Sequence, residues 1–238
     1  MSKQSNEEFK KYSIKLTTDY LEEYPENCSK NCKTKEKQIE NIEKNFNRVI
    51  APNEPTTKPD TLVSEVLEKL FNHEIKKRCE IQKQYNDQKQ TEMMIGQFLE
   101  RYISKEGRNF GWAFSGECIK AVDFIKKDGK EWIKLQVKNS DNTENSSAKA
   151  IRDHTPISKW FRRFSSPKTV VPRIKKDGKL GTRGLTDREY NELLLSGDYN
   201  PFTRAEFNWD NFPDDNLKKI LTEEGFRRFI NEQIILLK

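Results

Sequence analysis

The sequence has few of the residues that several familiar chemistries need. Histidine occurs only twice, as His73 and His154, and neither lies near a plausible nucleophile, so we expect no Ser-His or Cys-His catalytic centre. There are four cysteines, and only Cys28 and Cys32 are near neighbours. Because a zinc site would need two more ligands at matching spacing, we expect ordinary reduced thiols.

Long apolar runs are also missing. No run approaches the roughly 18 residues of a membrane span, and the N-terminus MSKQSNEEFKKYS has no apolar core of the signal-peptide kind. We therefore expect no membrane association and a cytoplasmic protein. Hydrophobic residues make up 33% of the 238 residues, and 14 Phe and four Trp argue against a disordered chain.

The positive charge is concentrated in the middle of the chain. Residues 101–180 contain 19 Lys and Arg against 9 Asp and Glu, although the whole chain carries only +6. The remainder is therefore net acidic. A basic central segment is typical of a surface that meets a polyanion, although a solvated basic face would show the same composition.

The periodicity predicts an α/β (α+β) fold with a helical N-terminal extension. Residues 6–21, 34–49 and 74–103 have helical spacing, a helix is predicted to begin at Asp60, and residues 111–138 alternate as strands do. Residues 143–164 are predicted to be helical with a break at Pro156, residues 167–184 a basic loop, and residues 186–195 and 216–237 helices. The simplest division is a helical region 1–90 and a core 91–238.

The segment AVDFIKKDGKEWIKLQVK predicts a β-hairpin. Its turn, Lys127 to Lys130, suits either a type I′ turn at Asp128-Gly129 or a type II′ turn at Gly129-Lys130. Strand alternation then places two sets of side chains on opposite faces. The predicted core face carries Cys118, Val122, Phe124, Ile133, Leu135 and Val137. The other face carries Ile119, Ala121, Asp123, Ile125, Trp132, Lys134, Gln136 and Lys138.

An acid, an amide and a lysine thus share one face. In the type II′ register Asp123 is opposite Gln136, and in the type I′ register the two are diagonal neighbours. A hard cation takes oxygen ligands such as Asp123 and Gln136, and Lys138 can orient the water that attacks a phosphodiester. A chance trio on a solvated hairpin face would give the same spacing.

The spacing from Asp123 to Gln136-Val137-Lys138 resembles the PD-(D/E)XK nuclease pattern. Two positions depart from it, because Val122 replaces the proline and Gln136 replaces the middle carboxylate. The resemblance implies a restriction-endonuclease-like core, a mixed central sheet flanked by helices, and Mg²⁺ as cofactor. It also implies a helix glutamate at the metal site, for which Glu100 in IGQFLERYI is preferred over Glu117.

The run QVKNSDNTENSSAKAIRDHTPISKWFRRF, with IGQFLERYI and GECIKAVDF before it, resembles SinI-type type II restriction endonucleases over residues 93–165. That resemblance implies the target GGWCC, where W is A or T, and a companion DNA methyltransferase that forms no stable complex. Because palindromic sites pair with two-fold symmetric proteins, we expect a homodimer on double-stranded DNA. The predicted DNA contacts are Asn142, Asn145, Ser146, Arg152, Lys159 and Arg162, with Arg173, Lys175, Lys176 and Arg183 as phosphate clamps.

The residues alone leave other functions open. Gln136 in place of a carboxylate is compatible with a non-catalytic DNA-binding protein that has a degenerate nuclease core. A metal-dependent repair or RNA nuclease would share the trio of Asp123, Gln136 and Lys138, and an interaction protein could act through its acidic helical half. Metal-dependent cleavage into discrete DNA fragments would separate a site-specific endonuclease from all three.

Overall fold

The computed structural model describes residues 3–48, 50, 75–141, 156–164, 170–174, 180–184 and 207–237. Four α-helices and six strands lie in these ranges. The helices are α1 (Lys3–Glu23), α2 (Lys35–Asn47), α3 (Ile75–Gly107) and α4 (Glu223–Leu237). The strands are β1 (Trp112–Phe114), β2 (Phe124–Asp128), β3 (Glu131–Ser140), β4 (Ser158–Arg163), β5 (Val170–Ile174) and β6 (Leu180–Gly184).

The central sheet is mixed, in the order β1-β2-β3-β4. The β1–β2 and β2–β3 pairs are antiparallel, whereas β3 and β4 are parallel. Asp128 pairs with Glu131, so Gly129 and Lys130 form the two-residue turn. Gly129 has a φ of 58° and Lys130 has no positive φ, as a type II′ turn requires. The predicted mixed α/β fold, with helices at its N-terminus, is confirmed.

One face of the sheet packs against α3 and α4. Its core contains Phe124, Leu135 and Val137, as the strand alternation predicts, together with Trp160 from β4. The helices contribute apolar side chains from the middle and the C-terminal part of the chain. These are Phe98, Leu99, Tyr102, Ile103, Phe226 and Phe229. The long predicted helix is therefore confirmed as α3, and it ends at Gly107 as expected.

The opposite face is covered by α1 and α2, so neither face of the hairpin is solvated. Leu16, Tyr20 and Ile42 from these helices pack with Ile125 and Trp132. The Trp132 indole donates a hydrogen bond to Glu23 of α1 over 2.9 Å. Thr34 caps α2 by accepting a hydrogen bond from the Lys37 backbone N–H. The N-terminal helices therefore share a core with the sheet.

Cys118 and Val122 were predicted on the wrong face. Both pack in the α1–α2 core, beside Ile119 and Ile125. Strand alternation does not reach them, because the chain turns there: the Val122 N–H donates to Ile119, and Ala121 has a φ of 58°. Cys28, Cys32 and Cys118 are free thiols.

The helix predicted over residues 143–164 is wrong at its end, where Ser158–Arg163 forms β4. Trp160, Arg162 and Phe164 are buried and alternate with half-buried residues, which is a strand pattern. The charge of Arg162 concealed that alternation, since its partner Glu223 is 61 residues away. Trp160 anchors β4 to the core, with only 2% of its surface exposed.

The predicted basic loop at 167–184 is also corrected. It contains β5 and β6, which pair antiparallel and place Arg173 beside Gly181 and Arg183 beside Val171. The helix predicted over 216–237 begins later, at Glu223, after a short 3-10 turn at Leu217–Lys219. The helices predicted at Asp60 and at 186–195 lie outside the described residues.

The division at residue 90 stays a prediction, and α3 runs through that position without a break. None of the described helices combines the length and the apolar character needed to cross a bilayer.

Candidate active site

The loop before β2 fixes Asp123 at the point where the hairpin ladder ends. Its backbone N–H donates to the Leu135 carbonyl over 2.9 Å, and its Oδ2 accepts from the Val137 N–H over 2.8 Å. These two bonds bracket Gln136 on β3. On the other side, the Ser115 N–H donates to the Asp123 carbonyl over 2.9 Å. Asp123 is therefore held next to Gln136, as predicted.

Glu100 reaches the same place from α3. Burial raises its pKa to about 8, and the negative charge of Asp123 adds to that rise, while Lys138 and Arg48 oppose it. Glu117 also raises the pKa of Glu100, although its own side chain is exposed. The structure thus brings Glu100, Asp123 and Lys138 within electrostatic reach of one another and leaves Glu117 at the edge.

Burial also raises the pKa of Asp123, and the Val137 N–H and the charge of Lys138 partly offset that rise. A cation bound between two neighbouring carboxyl groups stabilises the ionised form of both, which burial and their mutual repulsion otherwise disfavour. That is the electrostatic condition of a metal site before the metal binds. The amide of Gln136, only 3% exposed, adds a neutral oxygen beside the two acids.

These oxygen donors fit a hard cation such as Mg²⁺. Among the described residues, no three His, Cys, Asp or Glu side chains form a metal-binding group. Glu100, Asp123 and the Gln136 amide are therefore too few to enclose an ion. Mg²⁺ commonly keeps several waters and takes substrate phosphate oxygens, so an incomplete protein shell suits it.

Strand β4 brings another predicted residue to the site. Lys159 pairs with Gln136, and Phe161 pairs with Lys138, in the parallel β3–β4 register. Paired residues of neighbouring strands point to the same face. Lys159 is therefore on the Gln136–Lys138 face, one strand away. Basic surroundings in the sequence indicated this lysine, whereas its strand position follows only from the β3–β4 pairing.

The side chain of Arg162 binds other residues of the protein. Its Nη1 donates to both Glu223 carboxylate oxygens over 2.8 and 2.7 Å, and its Nε donates to Asn139 Oδ1 over 2.9 Å. The guanidinium also lies over the rings of Phe207 and Phe226. This side chain joins β4 to α4. Four other predicted DNA contacts lie outside the described residues: Asn142, Asn145, Ser146 and Arg152.

A cavity of about 370 Å³ adjoins the site between α2, α3 and α4. Its charged lining consists of Arg48, Glu100, Arg101, Lys105, Arg108 and Glu232, and its apolar walls include Phe46 and Phe229. Glu100 and Asp123 form an acidic cluster, and Glu100 also belongs to the cavity wall. No local sequence pattern indicates this cavity, because Arg48 and Arg101 are 53 positions apart.

Comparison with known proteins supplies the last observation. The family model of the SinI restriction endonuclease matches residues 11–190. The type II restriction enzyme Eco47I of Escherichia coli is 35% identical, in an alignment that covers 93% of this chain and 86% of the Eco47I chain. The type II restriction enzyme SinI of Salmonella infantis is 34% identical, over 94% of this chain and 87% of its own.

Proposed function

The chain belongs to the SinI restriction endonuclease family, and from that premise we propose that it cuts both strands of duplex DNA at a short palindrome by Mg²⁺-dependent hydrolysis. Family membership makes it a type II restriction endonuclease. The observation that carries the rest of the proposal is the meeting of Glu100, Asp123 and Lys138 beside Gln136. A restriction-endonuclease-like core, with the sheet between two helical layers, is part of the same proposal.

Glu100, Asp123 and the carbonyl oxygen of Gln136 would hold Mg²⁺. When bound, the ion polarises the scissile phosphate and lowers the pKa of the attacking water. The Val137 N–H fixes Asp123 Oδ2, which leaves Oδ1 as the oxygen best placed to bind a ligand. Burial raises the pKa of Glu100 to about 8. The charge of a bound cation would lower that pKa and so favour release of the Glu100 proton.

Lys138 would orient the attacking water and stabilise negative charge on the phosphate. Its ammonium group lies close enough to Glu100 and Asp123 to lower the pKa of each. It is fixed by β3, the longest strand of the sheet, so its position depends little on loop conformation. Lys159, on the same face, would bind a phosphate next to the scissile one.

Base reading is proposed for the segment that follows β3, through Asn142, Asn145, Ser146 and Arg152. Arg173 on β5 and Arg183 on β6 would clamp phosphates, together with Lys175 and Lys176, which lie outside the described residues. Because Arg162 is bound to Glu223, we leave it out of the DNA-contacting set. The proposed target is GGWCC, read by a homodimer in the cytoplasm, with a companion methyltransferase protecting host DNA.

Cleavage of unmethylated phage DNA tests the proposal. We expect discrete fragments in Mg²⁺ and none in EDTA, and sequenced fragment ends should give the target. Asp123→Ala should abolish cutting and keep duplex binding in a gel shift. Asp128→Ala removes the same charge at the exposed end of the hairpin and should cut like the parent. Cutting by Asp123→Ala, or cutting in EDTA, would contradict the proposed mechanism.

A further inference from the structure

The cavity next to Glu100 has an unusual charge arrangement. Two arginines from different parts of the chain line it, Arg48 directly after α2 and Arg101 on α3. Among the described residues, neither forms an ion pair with a carboxylate. Nη2 of Arg101 is buried and has no hydrogen-bond partner within the same part of the chain.

A buried guanidinium nitrogen without a partner is costly. Leaving a buried polar group unpaired costs about 1–3 kcal/mol, and more when the group is charged. Arg48, although itself exposed, adds a second positive charge to the same lining, which the apolar walls of Phe46 and Phe229 do not offset. An anion between the two arginines would satisfy the nitrogen and neutralise the repulsion.

Phosphate is the anion that this geometry suits. Guanidinium groups bind phosphate oxygens through paired, charge-assisted hydrogen bonds. The volume of about 370 Å³ far exceeds the roughly 30 Å³ that one water occupies in the liquid, so a phosphate group fits with hydration. Lys105 near the end of α3 and Arg108 in the 3-10 turn that follows the helix extend the basic lining.

We propose that this cavity binds a backbone phosphate of the DNA strand that lies in the active site, with Arg48 and Arg101 as its ligands. The choice of DNA as the source of the phosphate rests on the proposed function. Glu100 lines the cavity and also lies beside Asp123 in the active site. The phosphate bound in the cavity is therefore close to the scissile phosphate. Arg48 lies directly after α2, so the N-terminal helices take part in holding the substrate.

Duplex binding in EDTA tests the cavity without any cleavage. Arg48→Gln and Arg101→Gln should each weaken binding roughly 10-fold to 100-fold and reduce the dependence on salt by about one phosphate contact. Arg228→Gln removes the same charge from an exposed position on α4, outside the cavity, and should bind like the parent. Arg48 is exposed, so Arg48→Gln alone decides the matter if Arg101→Gln does not fold.

Methylphosphonate substitution, one phosphate at a time, identifies the bound group. We expect one position at which the parent loses affinity and Arg101→Gln does not. Weaker binding with no such position would mean a merely structural role for Arg101 and would overturn the proposal. Stabilisation by inorganic phosphate, with unchanged DNA affinity in both variants, would assign the cavity to a free anion and would also overturn it.

The outcomes separate this inference from the proposed function. If the parent cuts DNA and both cavity variants bind like Arg228→Gln, the inference alone fails. If the parent binds duplex DNA without cutting, the nuclease mechanism fails and the binding comparison still decides the cavity. If the parent binds no duplex, both fail.

Discussion

Replacing Glu100 with glutamine should stabilise the metal-free protein, and the gain should depend on pH. In the folded protein the pKa of Glu100 is about 8, against 4.5 for an unperturbed group, because burial and Asp123 disfavour the carboxylate. The folded state therefore keeps a proton that the unfolded chain releases. Stability is fully retained below pH 4.5 and is lost progressively as the pH rises towards 8.

The magnitude follows from that difference. At pH 7.5, keeping the Glu100 proton in the folded state lowers the free energy of unfolding by up to about 4 kcal/mol, which is about 1.36 kcal/mol for each pH unit above 4.5. Solvent reaches the half-buried carboxyl group and reduces this figure, so we expect Glu100→Gln to gain about 2 kcal/mol at pH 7.5. For a chain of this size, that is roughly 4–8 °C in melting temperature.

Thermal melting in EDTA from pH 5 to pH 8.5 measures the effect. The gain should be close to zero at pH 5 and should grow with pH. Glu131→Gln makes the same change at the exposed hairpin end and should shift the melting temperature little at any pH. Mg²⁺ should stabilise the parent more than Glu100→Gln. A gain that is equal at pH 5 and pH 8, or a loss, would refute the placement of Glu100 beside Asp123.

Three further substitutions have expected outcomes. Ala121→Gly should raise the free energy of unfolding, measured in urea, by roughly 0.5–1 kcal/mol. A φ of 58° strains alanine, and relief of that strain outweighs the greater freedom of glycine in the unfolded chain. A lower free energy of unfolding would contradict the strain. Arg162→Met should lower the free energy of unfolding by roughly 1–3 kcal/mol, because Glu223 loses its bidentate partner and keeps only the exposed Arg227 and the Trp209 indole, and adding Glu223→Gln should restore part of that loss. Gln136→Glu adds a third acid and should lower the melting temperature in EDTA, with Mg²⁺ stabilising it more than the parent; equal responses to Mg²⁺ would place Gln136 outside the metal site.

The hairpin was predictable because its information is local. The Gly129 turn fixes the pairing of β2 with β3, and period-2 alternation then assigns Phe124, Leu135 and Val137 to a core. Asp123 and Lys138 follow from the same register. What the alternation could not show was a second apolar layer, because α1 and α2 lie far away in the sequence.

Strand β4 was missed because its inward residues depend on distant partners. Arg162 at a buried position is stable only with Glu223 and Asn139, and no local pattern contains that pairing. Charged residues around Trp160 therefore resembled the polar face of a helix. The basic cavity was missed for the same reason, since its lining combines the end of α2 with the C-terminal part of α3.

The position of the hairpin turn has a practical consequence for biophysical work. Gly129 and Lys130 are exposed, and a side chain added at Gly129 would meet no atom within 4 Å. Gly129 lies six residue steps from Asp123, at the far end of β2, which is about 20 Å at 3.3 Å per residue. A fluorophore or a short affinity peptide attached at Lys130 would therefore report on DNA association, or tether the enzyme to a surface, without reaching the residues that cut.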